Sequence, residues 1–260
     1  MGGLTEHDGP VDVAAVLAEF DKLWSTDGFH SYTGRPLVRL ADSEHDQPDT
    51  QGRNPYWDMI RQFPLEHWND WGAGQPVQIV PDPGLRCQPL RMPIVTRFDL
   101  ARQYAWGIPT PGDLQWIARC LNGRPVVEVG AGTGYWASQL SQHDVDVVAF
   151  DVRAGDDDNP WCDPVQYHPV RHGTADQVSE HPTRALLLCW PPHNDPMAAD
   201  ALRAYGGDLL VYVGVRGCCA NAQFYELLAA DWVAVGMSPC HVTFSGLRCY
   251  VTAHRRKGAA

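Results

Sequence analysis

Several side chains are spaced as a ligand site and a transfer reaction would need them. An acid, Glu128, stands two residues before Gly130, and Gly132 and Gly134 follow at every second position. A second acid, Asp151, closes the next apolar run. Farther along, Cys189 and Trp190 lead into Pro191-Pro192-His193. Glycines admit positive φ and let a ligand approach the main chain closely. The start of a helix after them offers unpaired N–H groups and the positive end of the helix dipole, which favour an anionic group such as a carboxylate. A carboxylate inside the preceding strand repels a pyrophosphate and suits an ammonium. An acid at a strand tip ~20 residues after the glycines accepts both hydroxyls of a ribose. A histidine takes up a proton near neutral pH.

The elements that hold these residues are legible from the same stretch. Val126, Val127 and Val129 form a short β-branched run suited to a buried parallel strand. Tyr135, Trp136, Ala137 and Leu140 open a helical pattern directly after the glycines. Strand, glycine turn and helix begin a nucleotide-binding βαβ unit. Counted from Gly130, a dinucleotide fingerprint puts Tyr135 at its third glycine, where it is too large for close helix–strand packing. Counted from Gly132, the fingerprint reaches Gly134 and Ala137 but leaves Gly130 without a reason.

The stretch Glu128-Val-Gly-Ala-Gly-Thr-Gly134 resembles motif I, E/D-x-G-x-G-x-G, of the class I S-adenosylmethionine (SAM) methyltransferases. The resemblance covers roughly residues 97–257. It implies a Rossmann-like α/β fold: a seven-stranded sheet with helices on both faces and an antiparallel hairpin at its edge. Residues 97–260 are then the SAM-binding domain, and residues 1–96 a helical or irregular extension, read either as a small core or as a lid over the substrate. By the same resemblance Glu128, Gly130, Ala131, Gly132 and Gly134 bind SAM. Asp151 meets the ribose, with Val152 beside it, and Asp176 meets the adenine amine unless it is only a helix-start acid. Tyr104 and Trp106 reach the methionine end, unless they are plain core aromatics. Cys189 and Trp190 complete the cofactor wall. The double proline is similar to motif IV, D/N-P-P-Y/F, of amino-group methyltransferases, but Trp190 replaces the Asp or Asn and His193 replaces the aromatic residue. His193 is the candidate general base, against the alternative of a structural histidine.

Composition bounds the function. Hydrophobic content of 44% and charged content of 20% are ordinary for a globular chain. A net charge of −11 and a pI near 5.3 argue against nucleic-acid partners, which need a positive footprint. No apolar run is long enough to span a bilayer, and the N-terminus lacks the regions of a signal peptide. A small-molecule acceptor and a cytoplasmic location are expected. None of the 8 cysteines forms a C-x-x-C pair, so reduced thiols are expected, and the loose spacing of Cys162, His168 and His172 is not read as a metal site. The alternatives are a SAM-binding protein without transferase activity and a nucleotide-dependent oxidoreductase, against which Glu128 and Tyr135 argue.

Around this core, residues 11–24 read as an amphipathic helix with Val13, Val16, Leu17, Phe20 and Trp24 on one face. Tyr56, Trp57, Phe63, Trp68 and Trp71 form an aromatic cluster. The proline-rich stretch from Pro76 to Pro93 cannot be regular helix and is expected to run across the surface. Residues 97–106 and 111–121 read as helices or turns, and strands are expected at 146–152, 166–171, 183–190, 208–213, 232–235 and 241–254. Helices are expected over 196–205 and 221–230, and the acidic stretch 154–163 reads as irregular.

Overall fold

The computed structural model describes residue 18 and residues 47–61, 66–69, 76–80, 97–244, 247 and 249–259, with backbone alone at 66–69 and 76–80. In chain order these hold α1 (Pro55–Ile60), β1 (Glu66–Asn69), β2 (Pro76–Val80), α2 (Arg97–Gln103), α3 (Pro111–Leu121) and β3 (Val126–Val129). There follow α4 (Tyr135–Ser141), β4 (Val147–Asp151), β5 (Val170–His172), a 3-10 helix (Ala175–Glu180), β6 (Ala185–Cys189) and α5 (Met197–Ala204). The chain continues through β7 (Leu209–Gly214), α6 (Ala222–Asp231), β8 (Trp232–Met237), β9 (Val242–Phe244) and β10 (Tyr250–Arg256).

Seven strands form the main sheet in the order β5-β4-β3-β6-β7-β10-β8. The pairs from β5 through β7 are parallel. β10 runs antiparallel between β7 and β8. Its central strands are short apolar runs whose successive side chains serve opposite faces, as the two-residue period of a strand requires. Val126, Leu187 and Val211 pack on one side with Leu114, Ile117 and Leu121 of α3 and Trp136 and Leu140 of α4. Val127, Leu186 and Leu210 pack on the other with Val178, Leu202 of α5 and Phe224 of α6. Helices thus cover both faces.

Local chemistry sets the helix ends. Thr110 accepts from the Asp113 N–H at 3.0 Å, Pro111 occupies the first turn, and Asn122 leaves α3 at φ 49°. Asn221 caps α6 by accepting from the Phe224 N–H at 3.0 Å.

Pro76–Val80, expected only to be non-helical, is a strand, paired antiparallel with β1 and parallel with β9 in a separate three-stranded sheet. Pro76 is its first residue, where a missing N–H is tolerated. The expected strand 241–254 divides: β9 leaves for this small sheet, and only β10 closes the large one. The helix expected over 11–24, and Phe63 and Trp71 of the aromatic cluster, lie outside the described residues.

Residues 47–61 are built into the main unit across the expected 96/97 boundary. Asn54 Nδ2 donates to Pro109 O at 2.6 Å, the Tyr56 N–H donates to the Tyr135 hydroxyl at 3.1 Å, and Gln139 donates to Arg53 O at 3.1 Å. Tyr56 and Trp57 are fully buried.

Candidate functional site

β3 is the topological switch of the sheet: the chain passes from it to β4 on one side and takes up β6 on the other. Ligands of open α/β sheets sit beyond the carboxyl ends of the strands at such a point. The residues there form the glycine turn. Gly130 and Ala131 both donate to Phe150 O at the tip of β4, at 2.9 and 3.1 Å. Gly132 has φ +53°, and a Cβ added to it would project into free space, meeting only Cys162 at 3.9 Å. Gly134 has φ +73°, and a Cβ there would strike Val170 at 2.9 Å and His168 O at 3.0 Å. One glycine therefore opens room for a ligand, and the other lets the turn pack against β5.

The strand order and the acid-plus-glycine turn at its switch point decide the architecture. The fold is that of the class I SAM-dependent methyltransferases.

The two carboxylates at this turn differ. Glu128 is 1% exposed, and its Oε2 has no hydrogen-bond partner among the described residues. Burial, and then the negative charge of Asp151, push its carboxyl up to about 8, against the opposing pull of an Ala137 backbone hydrogen bond. Such a group gains from a cation placed beside it. Asp151 is engaged on both oxygens: Oδ2 accepts from the Gly132 N–H at 2.9 Å and Oδ1 from the Arg153 N–H at 2.8 Å. Each oxygen keeps a lone pair for a further donor. Asp151 thus braces the glycine turn as well as facing the site.

At the tip of β6 the backbone turns sharply. Trp190 has φ 46°, a left-handed conformation that costs a bulky residue energy and marks over-determined sites. Its N–H donates to Val213 O at 2.8 Å, and its indole Nε1 donates to Cys249 Sγ at 3.2 Å. Below Cys249, His241 Nδ1 and Asp113 Oδ2 are 2.7 Å apart, both buried. Burial by itself would lower the His241 imidazole, but the Asp113 carboxylate and Cys249 override it and bring it up to about 10. The loop after Trp190 is fastened to the loop after β7: Asn194 N–H donates to Ala220 O, and Ala220 N–H donates to Pro191 O, each at 2.9 Å. His193 is exposed on this loop, with no hydrogen-bond partner among the described residues.

One cavity of about 380 Å³ joins these parts. Tyr104, Glu128, Gly130, Ala131, Gly132, Asp151, Val152, Cys189, Trp190 and His193 all line it. Gly134 and Asp176 do not. Gly134 caps α4 and packs against β5. Asp176 is exposed on the 3-10 helix and faces an adjoining recess with Asp200 and Arg203. Tyr56 and Trp57 do not line the cavity either. Tyr56 stacks behind Tyr104 at 4.9 Å, and Trp57 donates to Pro48 O at 2.9 Å, so these two rings are core.

The cavity has a further wall, in which the pattern had singled out only Trp106. Trp106 Nε1 donates to Trp161 O at 2.9 Å, and its ring lies 5.9 Å from Trp161 and 6.0 Å from Trp190. The segment carrying Trp161 is held by the Arg102–Asp163 ion pair at 3.0 Å and the Asp163 N–H to Arg102 O bond at 2.9 Å. Cys162 and Cys218 also line the space. Nothing periodic in the acidic stretch 154–163 points to Trp161; only its tertiary anchoring does. Among the described residues no group of His, Cys, Asp and Glu is arranged to hold a metal ion.

No family model matches the sequence, and comparison with curated proteins gives no match. Solved structures similar to this chain include the magnesium protoporphyrin IX methyltransferase of Synechocystis PCC 6803 with bound SAM. It has a TM-score of 0.34 at 10% identity over 55% of this chain and 76% of that one. The 1,6-didemethyltoxoflavin-N1-methyltransferase of Burkholderia thailandensis, with its substrate and S-adenosylhomocysteine (SAH), gives 0.38 at 18% over 74% and 99%. The glycopeptide N-methyltransferase MtfA with SAH gives 0.35 at 9% over 56% and 89%. At these TM-scores the likenesses add nothing to the strand order, on which the fold assignment rests.

Proposed function

We propose that this chain is a SAM-dependent methyltransferase that acts on an oxygen or nitrogen atom of a small molecule. The observation that carries the reading is Glu128: a buried carboxylate oxygen without a partner among the described residues, on a cavity that Asp151 also lines. The residues present fit SAM. Glu128 would take the ammonium of its methionine end, Asp151 the ribose hydroxyls, and Val152 the edge of the base. Gly132 leaves the main chain open to close approach. When bound, SAM supplies an electrophilic methyl group.

The protein's own part is positioning and proton removal. Holding donor and acceptor in line removes up to ~7–11 kcal/mol of barrier. The Trp190 loop, fastened at Pro191 and Asn194 to Ala220, provides a fixed edge for the acceptor. His193 on that edge is the group that takes the proton from an O–H or N–H acceptor. Net charge supports a small-molecule partner over a nucleic acid. Among the described residues no helix is long and apolar enough to cross a membrane, and we place the activity in the cytoplasm.

A second reading has an observation of its own: no side chain among the described residues holds His193, and Trp190 stands where an amine-accepting residue is expected. That favours a protein that binds SAM without transferring its methyl. Isothermal titration with SAH tests the binding common to both readings, and absence of saturable binding overturns both. Transfer of labelled methyl from SAM to a panel of phenols, amines and heterocycles separates them. Under the transferase reading at least one acceptor is methylated, and His193→Ala lowers that rate ten-fold or more while SAH affinity holds.

A further inference from the structure

We infer that the acceptor is a planar aromatic or heteroaromatic molecule bearing an ionisable O–H or N–H, packed by offset or edge-to-face contact against Trp106, Trp161 and Trp190. The inference rests on the methyl-transfer reading above and specifies its substrate class.

The cavity has two ends of different chemistry. Glu128, Gly132 and Asp151 bring carboxylates and bare main chain to one, which suits the charged and hydroxylated donor. What remains open lies between the Trp106–Trp161 segment and the tip of β6, and indoles dominate it. Phe98, edge-on to Trp106 at 5.8 Å, extends the same surface outward.

Two observations show that this surface is built. Trp161 is 51% exposed, yet its surroundings are fixed. The Trp161 N–H donates to Asn159 Oδ1 at 3.0 Å, Asn159 is itself 5% exposed, and the Trp161 carbonyl receives the Trp106 indole N–H. An indole left half in water forgoes the burial that normally recompenses so large an apolar group. Trp190, for its part, holds its ring in place through a left-handed backbone and a bond to Cys249. Trp161 takes no part in the core clusters, and Trp190, packed in part against both of them, also borders the cavity.

The geometry selects among ligands for such a surface. A compact cation wants ring faces turned on it from several sides at about 6 Å or less. Here the rings touch each other, with Trp106 tilted 34° from Trp190 and 65° from Trp161, so they form a wall with no void enclosed between them. A wall favours a flat partner in offset or edge-to-face contact. The rim supplies His193 and Asp195, which suits an acceptor that must surrender a proton before or during attack.

The test uses the full chain saturated with SAH, a matched pair of probes and one cation. 2-Naphthol is planar with an ionisable hydroxyl, decahydro-2-naphthol has the same skeleton puckered, and choline is the compact cation. In calorimetric titrations 2-naphthol is expected to bind at least ten-fold more tightly than either of the others. Trp161→Ala is expected to weaken 2-naphthol five-fold or more and Trp161→Phe to restore most of the loss, with SAH affinity changing less than three-fold in both. Equal binding of the two naphthols, tighter binding of choline, no saturable 2-naphthol binding, or indifference to Trp161→Ala overturns the inference while leaving the SAM reading intact. A separate titration in which SAH itself does not bind removes the SAM reading, and the inference with it.

Discussion

The two ends of the cavity are made in different ways. The donor end comes from one continuous piece of chain, β3 through β4, and its glycine turn is held by main-chain N–H groups. Gly130 and Ala131 donate to Phe150 O, and the Gly132 N–H donates to the Asp151 carboxylate. The acceptor end is assembled from segments far apart in sequence, carrying Trp106, Trp161 and Trp190, and side chains do the work. A main-chain site tolerates little change in shape. A site made of side chains on separate segments can change its specificity one ring at a time and leave the donor end alone.

The largest expected effect lies on the main-chain side. Gly132→Val puts a branched side chain into the open space beside Cys162 at a φ that such residues resist. SAH binding should fall at least a hundred-fold while the far-ultraviolet circular dichroism stays native. Normal binding would show that the donor end is elsewhere.

Asp151→Ala comes next. It removes a ribose partner and also the acceptor of the Gly132 N–H, so SAH binding should weaken by ~1–3 kcal/mol, the worth of charge-assisted hydrogen bonds. Calorimetry showing unchanged affinity would mean that Asp151 only braces the turn.

Glu128 gives a proton signature. With its carboxyl raised to about 8, the free protein carries it protonated at neutral pH, and binding an ammonium ionises it. Affinity for SAH should therefore rise towards ten-fold between pH 6 and 7, with proton release visible in buffers of different ionisation enthalpy. Glu128→Gln should flatten that slope. In the free protein the sign is the reverse of a paired carboxylate's. The folded value lies above the unfolded value of about 4.3, so Glu128's contribution is complete below pH 4.3 and fades as pH climbs through 8. Glu128→Gln should accordingly gain thermal stability over wild type in alkaline buffer.

The smallest effect lies beneath the acceptor end. His241, raised by Asp113 to about 10 from an unfolded value near 6.5, contributes fully below pH 6.5 and loses that contribution as pH rises through 10. Asp113→Asn should lower the melting temperature by several degrees at pH 6 and by less at pH 10. A constant deficit across that range would mean that the pair is not charged in the fold.

The same contrast explains what was legible in the sequence. The strand, the glycine turn, α4 and the acid at the end of β4 are neighbours in sequence, and hydrophobic period and residue type report on neighbours. Eleven of the thirteen expected site residues, Trp106 among them, line the cavity, with the tip of β6 read from its apolar run. Gly134 and Asp176 do not line it, because a motif names positions and cannot say which way each one faces. Trp161 was hidden in an acidic, aperiodic stretch, because what places it is Asp163 meeting Arg102 about sixty residues earlier in the chain. The division of 241–254 into β9 and β10 was equally silent, since the partner that draws β9 away is Pro76–Val80. Tyr56 and Trp57 read as an aromatic cluster in either case, and only Asn54 and Tyr135, meeting across the fold, make them core.

The cysteines along the cavity amount to a graded chemical footprint. Cys218 is exposed, while Cys162 is half-buried, and burial, with the nearby Asp151 and Asp163 charges, raises its thiol to about 11. Burial, and then the Glu128 charge, push the Cys189 thiol well up too. Because alkylating agents react with the thiolate, Cys218 should label ahead of Cys162 and Cys189. A mass spectrum taken after brief treatment with iodoacetamide then records how deep a bound molecule reaches, without any knowledge of what that molecule is.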